Sequence, residues 1–528
     1  MKITQAGKIK ESSSQNRSNS LSLVVFSLLI LAAFAVRFYP AALQSFTDPD
    51  HYYHLRQMEY VAQEGAVRQF DGLSNLGRQY TYYPLFHLIG GSIAVLFGMP
   101  ALWAYAFVSL AAAVLAVFAV YLAARSALLR CEIADASPIA SYCALFAACL
   151  PIFFFRQTVF TRPDAFAAAI FALGIFFLLK RSIAGMAVLG AFAALLHPYS
   201  LVVIGALLAI ALLSDFIVSW RTRTAPVFLG DDFCSEKFSV AKAVQSKAVV
   251  CLVVFAFGAL LAATYYLRLP LSDLSLAHTF QTSSEMQPLD PIAFLQVTGP
   301  MLIFALIALL KAFGIPDKLP EHRWVWISVI SVISSAGLLG FASRNMVFAA
   351  VPIALLAGFG LYEAQKKTEQ YAIWVWAICG LAVLASVYCS LAVQGGQYSA
   401  PQLSGFSYMA SLPDAPVIAL WDRGHPLTEI SKKQVVVDGY FEFEPQLDQK
   451  TLDVEFMFHS VNEGTVVEIA KKYGAGYVFF DNKTWDVFGR DASGFFLSYD
   501  SVLNQSSVIE KIFDSGDSEV YTVARHSS

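Results

Sequence analysis

Successive apolar runs of membrane length dominate the chain up to about residue 393. The first run covers about 21–36 and follows a basic leader. Ten further runs lie at about 101–124, 138–155, 164–180, 184–197, 199–218, 248–268, 291–311, 324–342, 345–363 and 371–393. A helix needs about 20 apolar residues to cross the hydrocarbon core of a bilayer. The pattern therefore predicts a polytopic α-helical membrane protein with about eleven crossings. The runs at 164–180 and 184–197 are short enough to change that count by two.

Charged residues are scarce and nearly balanced. They make up 14% of the 528 residues, against about 25% in soluble chains. The 36 basic and 39 acidic residues give a net charge of −3, so no electrostatic footprint for a nucleic-acid partner exists. The seven cysteines all fall in predicted crossings or on their cytoplasmic side. We therefore expect neither a disulfide framework nor a Cys/His metal pattern.

Basic residues between the apolar runs predict the orientation of the chain. The basic leader places an N-terminal tail, 1–20, in the cytoplasm. Five connections between the runs are basic, at about 125–130, 180–181, 221–247, 311–323 and 366–367. All five fall on the cytoplasmic side if 84–98 does not cross the membrane, so we assign 84–98 to a re-entrant or interfacial helix. An ordinary crossing there would invert everything downstream. The resulting division is a membrane domain over 21–393 with outer loops 41–100, 156–163 and 269–290, and an extracytoplasmic domain over 394–528.

The C-terminal tail has the pattern of a small α/β domain. Apolar, strand-like runs occupy 417–421, 434–441 and 476–481. Residues 465–474 have helical spacing that ends at Gly474. Strands that alternate with a helix favour an α/β layer.

Ionisable residues lie at the predicted outer face of the membrane domain. FTDPDHYYHLR carries Asp50, His54 and Arg56, RPDAF carries Asp164, and SSEMQP carries Glu285. Charged groups at a membrane boundary are costly, which indicates a site. Carboxylates from three outer loops could bind a hard divalent cation, which takes oxygen ligands. Helix caps and unrelated surface residues are the alternative interpretation.

Arg344, in SRNMVF, begins a predicted helix at the same boundary. Its side chain could extend to lipid headgroups. It could equally bind the phosphates of a lipid-linked substrate, to which the guanidinium fork is suited.

Several of these segments together resemble a known family. DPDHYYHLR is similar to the first acidic motif of the catalytic subunit of oligosaccharyltransferase, with Asp50 and Arg56 as the matching residues. Further segments of that family are similar to YYPLFHLIGGS, SSEMQP, SRNMVF and ALWDRGH, which follow one another in the same order in this chain. The absence of disulfide candidates and the compact tail favour the single-subunit archaeal or bacterial type of that family over a eukaryotic complex. The resemblance implies a GT-C glycosyltransferase fold followed by an outer domain.

The resemblance also implies an activity. An oligosaccharide would move from a polyprenyl phosphate or pyrophosphate to the Asn of Asn-X-Ser/Thr, with inversion of configuration at the anomeric carbon. Mn²⁺ or Mg²⁺ would be the cofactor. The implied partners are lipid-linked oligosaccharide, an acceptor protein or peptide, and the membrane. Residue roles carry over as follows: Asp50 and Glu285 as catalytic groups, Asp50 and Asp164 as metal ligands, Arg344 for the donor phosphate, Trp421, Asp422 and Glu285 for the acceptor, and His54, Arg56 and His425 around them.

The sequence departs from the family at two motifs. Phe166 stands where the second acidic motif usually has another ligand, and Leu420 and Arg423 replace a Trp and a Tyr of the acceptor motif. RPDAF also resembles other polyprenyl-phosphate-dependent GT-C transferases. The alternatives are therefore a GT-C enzyme that moves a single sugar to a lipid or Ser/Thr acceptor, and a catalytically impaired paralogue. A transporter or flippase would place its polar groups at mid-membrane, which the sequence does not.

Overall fold

The computed structural model describes twelve stretches of the chain. These are residues 49–79, 84–130, 135–150, 162–196, 204–213, 249–256, 302–314, 346–367, 372–392, 398–440, 444–488 and 508–523, with gaps at 211 and 461; residues 31, 133 and 298 are also described, each singly. The chain divides into two compact units. We call the unit with 106–269 and 280–394 the helical unit, and the unit with 45–105 and 395–528 the mixed unit.

The described helices and strands are numbered here in chain order. The helices are α1 Pro49–Glu64, α2 Pro84–Phe97, α3 Ala101–Arg130, α4 Ala136–Cys149, α5 Ala167–Lys180, α6 Ile183–Leu196, α7 Leu302–Gly314, α8 Met346–Lys367, α9 Ala372–Ala392, α10 Ala400–Ser411, α11 Leu447–His459, α12 Glu463–Tyr473 and α13 Asn482–Phe488. The strands are β1 Phe70–Asp71, β2 Arg78–Gln79, β3 Val417–Ile418, β4 Tyr477–Asp481, β5 Ile509–Asp514 and β6 Ser518–Val523. Short helical turns occupy Pro163–Phe166, Trp421–Arg423, Gly424–Pro426 and Leu427–Ser431.

Helix α8 lies at the centre of the described part of the helical unit. It packs against α4, α5, α7 and α9. Two glycines of α8 allow backbones to approach closely: a Cβ on Gly360 would overlap the carbonyl oxygen of Phe304, and one on Gly358 would lie 2.5 Å from the amide nitrogen of Cys143. Small residues at helix contacts are typical of membrane bundles.

Among the described residues, Ala101–Arg130 is the helix long and apolar enough to cross a membrane. Shorter apolar helices are Pro84–Phe97, Ala136–Cys149, Ala167–Lys180, Ile183–Leu196, Ala349–Gln365 and Trp374–Ala385. Helices therefore occupy the described parts of the apolar runs. The run at 324–342 and nearly all of 21–36 lie outside the described residues, and the number of crossings stays a prediction.

The mixed unit is built on a four-stranded sheet with the order β3-β4-β6-β5. Strands β3 and β4 are parallel, whereas β6 runs antiparallel to both β4 and β5. Helices α11 and α12 supply Phe458 and Ile469 to a core that includes Val478 and Phe480. The predicted helix at 465–474 is confirmed as part of α12, and Gly474 caps it with a φ of +65°, a conformation that favours glycine.

The predicted strand at 434–441 is wrong. Of its residues, Val435 forms isolated bridges to Ser74 and Val417, after which the chain turns. The backbone N–H of Tyr440 donates to Asp438 Oδ1 at 2.9 Å, and such a local bond competes with strand pairing. The acidic side chain inside the apolar run therefore redirects the backbone.

The hairpin formed by β1 and β2 is joined to the C-terminal segment by backbone hydrogen bonds. The N–H of Asn75 donates to the carbonyl of Val435 at 2.9 Å, and the N–H of Val435 donates to the carbonyl of Leu73 at 3.0 Å. Helices α1 and α2 flank this hairpin in sequence and pack against each other. Residues some 360 positions apart thus share one compact unit.

Candidate active site

Asp50 lies at the start of α1, the helix formed by PDHYYHLRQMEYVAQE. Pro49 and Asp50 suit a helix start. Proline has no N–H that would be left unpaired in the first turn, and the helix dipole favours a carboxylate there. The Asp50 side chain is about a third exposed, at 32%. The turn Gly424–Pro426 packs against α1 and brings His425 Nε2 to 4.0 Å from Asp50 Oδ1.

His425 is buried between two carboxylates. Its Nδ1 lies 3.6 Å from Asp438 Oδ2, and the ring of Tyr53 lies 5.1 Å away, centre to centre. The pKa of His425 is lowered to about 4, chiefly by burial, with Arg56 and Arg78 acting in the same direction and Asp438 opposing them. The imidazole is therefore neutral near pH 7, with one nitrogen able to donate and the other able to accept.

Two glycines make room for this arrangement. A Cβ on Gly424 would lie 2.6 Å from Asp438 Cα, and one on Gly439 would lie 3.2 Å from His425 Nε2. Real Cβ atoms essentially never come as close as the first of these distances. The WDRGH and VVVDGYF segments can approach each other because glycine stands at both points.

Arg78, in β2, binds the carboxylate of Asp438, the residue next to His425. Its guanidinium donates to both oxygens of Asp438 at 2.7 Å each. It also pairs with Asp71 at 3.0 Å and with Glu444 at 3.2 Å, and donates to the carbonyl of Tyr440. A guanidinium fork is suited to such bidentate contacts.

The ion pairs continue on both sides of Arg78. Arg56 donates to Asp71 at 3.1 Å, and Lys450 pairs with Glu444. Three cations thus face three carboxylates in a buried network. Burial by itself would raise the pKa of Asp438, but Arg78, His425 and Arg56 hold it well below its ordinary value. The network keeps Asp438 ionised beneath His425.

The Trp421–Asp422 motif lies just before this turn. Trp421 is 42% exposed, whereas Asp422 is buried and pairs with Lys483 and, at 3.4 Å, with Arg423. Arg423 also donates to Asp481 at 2.5 Å. The arginine that replaces the family's tyrosine therefore binds the motif's own carboxylate.

Six of the predicted site residues fall in the mixed unit: Asp50, His54, Arg56, Trp421, Asp422 and His425. His54 is buried and shares a 2.9 Å hydrogen bond with His87. Asp164 belongs to the turn Pro163–Phe166 of the helical unit, while Glu285 and Arg344 lie outside the described residues. Over the stretches that the structure describes, no group of three His, Cys, Asp or Glu side chains is arranged to hold a metal ion.

Sequence reasoning missed Arg78, Asp71 and Asp438. One signal was present: Asp438 is the single acidic residue in the apolar run QVVVDGYF, and a charge in such a run needs a buried partner. The partner itself could not be found, because Arg78 lies 360 positions earlier.

No protein-family model and no curated protein matches the sequence. Solved structures show the fold, which is that of the GT-C glycosyltransferases. The predicted resemblance to oligosaccharyltransferases is confirmed at the level of the fold. The chain is similar to the oligosaccharyltransferase AglB of Archaeoglobus fulgidus, solved with an inhibitory peptide and a dolichol-phosphate, at a TM-score of 0.64 and 14% identity over 88% of this chain and 70% of that one.

Two further structures define the range of this likeness. A second A. fulgidus oligosaccharyltransferase structure, tethered to an acceptor peptide with the NVT sequon, matches at a TM-score of 0.62 and 15% identity over 90% of this chain and 72% of that one. ArnT from Cupriavidus metallidurans, bound to undecaprenyl phosphate, matches at 0.51 and 14% over 94% and 97% of the two chains.

Proposed function

We propose that the protein is a membrane glycosyltransferase that moves an oligosaccharide from a polyprenyl phosphate or pyrophosphate to the Asn side chain of Asn-X-Ser/Thr. The observation that carries the proposal is the 4.0 Å approach of Asp50, from the first acidic motif, to His425, from the acceptor-motif segment. The similar structures with an acceptor peptide and with dolichol-phosphate support the same two substrates.

The chemistry requires two kinds of group. An amide nitrogen is a weak nucleophile, so carboxylates must hold it, and we assign that task to Asp50 and Glu285. The leaving phosphate develops charge, which Arg344 would stabilise electrostatically. Trp421 and Asp422 would recognise the acceptor hydroxyl. The roles of Glu285 and Arg344 are supported by their motifs.

A divalent cation fits the chemistry of Asp50. A carboxylate is the donor that Mn²⁺ and Mg²⁺ accept, and the Asp50 side chain keeps 32% of its surface exposed. Asp50 and Asp164 would hold the ion, which would neutralise charge on the leaving phosphate. A similar A. fulgidus structure contains Zn and sulfate.

We place the protein in the cell membrane as a multi-pass protein. The basic leader supports a cytoplasmic N-terminus. The C-terminal domain and the active site would then face the extracytoplasmic side, where lipid-linked donors and unfolded acceptor segments would meet.

The test is glycan transfer by the purified full-length protein. It would be incubated with lipid-linked oligosaccharide, Mn²⁺ and a sequon peptide, and the peptide would be analysed by mass spectrometry. Asp50→Ala and Glu285→Ala should each abolish transfer, whereas Glu64→Ala, an exposed carboxylate at the other end of α1, should not. Transfer at the wild-type rate by Asp50→Ala would refute the assignment.

The second candidate is a GT-C enzyme that moves one sugar to a lipid or Ser/Thr acceptor. Two observations favour it: the match to ArnT spans nearly the whole of both chains, and Asp422 is already engaged by Arg423 and Lys483. The same mass spectra separate the candidates, because a modified lipid or hydroxyl with an unmodified sequon would select this one.

A further inference from the structure

We propose that His425 Nε2 is a ligand of the divalent cation, beside Asp50, and that Asp438 orients the imidazole for this task. The inference rests on the proposed role of Asp50 as a metal ligand. It assigns to the site a nitrogen donor from the C-terminal segment, which the acidic motifs do not include.

The distance between the two donor atoms is slightly longer than the distance between two ligands of one ion. Ligand atoms that lie about 2.1 to 2.2 Å from one cation are about 3.0 to 3.6 Å apart at angles of 90° to 110°. Nε2 and Oδ1 are 4.0 Å apart, and a small rotation of the partly exposed Asp50 side chain would cover the difference. A histidine and a carboxylate would supply two of the six ligands that an octahedral cation takes.

The opposite side of the ring has the partner that a metal-bound histidine needs. Such a histidine almost always donates its other N–H to a carboxylate or carbonyl, which fixes the tautomer and the ring orientation. Nδ1 of His425 lies 3.6 Å from Asp438 Oδ2, just beyond hydrogen-bond length, and has no hydrogen-bond partner among the described residues. With the proton on Nδ1, the lone pair of Nε2 is directed to the Asp50 side.

Asp438 is itself held in place. Arg78 binds both of its oxygens at 2.7 Å, and the N–H of Tyr440 adds a third bond at 2.9 Å. Arg78 therefore holds Asp438, Asp438 orients His425, and His425 would bind the cation. Gly424 and Gly439 permit the close approach that this order requires.

His425 would also replace a ligand that the second acidic motif lacks in this sequence. Phe166 stands where the second acidic motif usually supplies another ligand, so the cation needs a donor from elsewhere. An imidazole donor has a chemical consequence, because it favours transition metals, whereas Mg²⁺ prefers oxygen. We therefore expect Mn²⁺ to bind more tightly than Mg²⁺.

The test is pulsed electron paramagnetic resonance of Mn²⁺ bound to the full-length protein, which needs no turnover. The wild-type protein should show the ¹⁴N modulation of one coordinated imidazole. His425→Gln should lose it and bind Mn²⁺ at least about tenfold more weakly. Asp438→Asn should keep the nitrogen signal but weaken Mn²⁺ binding by about tenfold.

His459→Gln is the matched control, an exposed histidine at the end of α11, and should behave as wild type. A ¹⁴N signal that survives in His425→Gln, or bound Mn²⁺ without any ¹⁴N signal in the wild type, would overturn the inference, as would absence of Mn²⁺ binding. Glycan transfer without the nitrogen signal would contradict only the assignment of His425 as a ligand. The nitrogen signal without glycan transfer would contradict only the proposed function.

Discussion

Arg78 and Asp438, which lie 360 positions apart in the sequence, are joined by two parallel hydrogen bonds of 2.7 Å inside the mixed unit. Both side chains are buried. A buried ion pair is weak evidence for added stability, but loss of one partner leaves an uncompensated charge. This pair therefore links the folding of the hairpin β1–β2 to that of the C-terminal segment.

Arg78→Met should strongly destabilise the protein. It would leave Asp71 and Asp438 without their shared cation, at a cost of about 3 to 5 kcal/mol in unfolding free energy. The midpoint of thermal unfolding measures the effect. Arg68→Met removes a partly exposed ion pair with Glu64 and a cation–π contact with Tyr60. Both interactions are weak at the protein surface, so this variant should unfold close to the wild-type midpoint. Equal midpoints for the two variants would contradict the prediction.

Stability should depend on pH through Glu429, which is buried beside α1. Burial raises the pKa of Glu429 to about 7, with Glu59 adding to the rise while Lys432, 3.0 Å away, opposes it. The folded state therefore binds this proton more tightly than the unfolded state, and stability falls as pH rises from about 4.5 to 7.

Glu429→Gln keeps the shape of the protonated side chain. The variant should equal the wild type at pH 4 and exceed it above pH 7 by up to about 3 kcal/mol. Denaturation at both pH values measures this difference. The exposed Glu510→Gln should follow the wild type at both. A Glu429→Gln variant less stable than the wild type at pH 8 would show that the ion pair with Lys432 dominates instead.

Gly91→Ala should destabilise the packing of α2 on α1. A Cβ at this position would lie 2.5 Å from Val61 Cβ and 3.0 Å from the carbonyl oxygen of Met58. Alanine is about 1 kcal/mol more favourable than glycine in a helix, so a net loss means that overpacking, at about 1 to 3 kcal/mol, prevails. Gly72→Ala, which meets nothing within 4 Å, is the control for thermal unfolding. A more stable Gly91→Ala variant would disprove the close contact.

Lys483→Met should tighten binding of a sequon peptide. Lys483 and Arg423 both contact Asp422 Oδ2, so loss of the lysine leaves that oxygen, within the described part of the chain, with only the 3.4 Å contact to Arg423 and able to accept from the acceptor hydroxyl. One such hydrogen bond, at about 1 kcal/mol, corresponds to a fall in KM of about fivefold at unchanged kcat. Steady-state transfer kinetics measure it, with Lys472→Met, a lysine paired with Asp453, as control. An unchanged KM would assign Asp422 a structural role.

Local patterns predicted the parts of the fold that depend on local interactions. The amphipathic spacing and Gly474 gave helix α12, and apolar runs gave the positions of α3, α8 and α9. The run at 434–441 has the composition of a strand but not its structure, because Asp438 bonds to Arg78 and to its own backbone. Composition cannot report a contact with a residue hundreds of positions away.

The sequence predicted single residues of the candidate site but not the contacts between them. The motifs identified Asp50 and His425 one at a time, but their 4.0 Å separation depends on how Gly424–Pro426 packs on α1. Arg78 carried no local signal at all. Its role follows only from the three carboxylates that surround it in the folded chain.

The contact between the hairpin and the C-terminal segment also sets a timetable for biosynthesis. Arg78 leaves the ribosome 360 residues before Asp438, which at 5 to 20 residues per second is a delay of roughly 20 to 70 s. During that interval Arg78 lacks two of its carboxylate partners, Asp438 and Glu444. Helix α1, with Asp50, can take its final surroundings only when the last part of the protein arrives. Premature termination after the membrane helices would therefore leave Asp50 without His425.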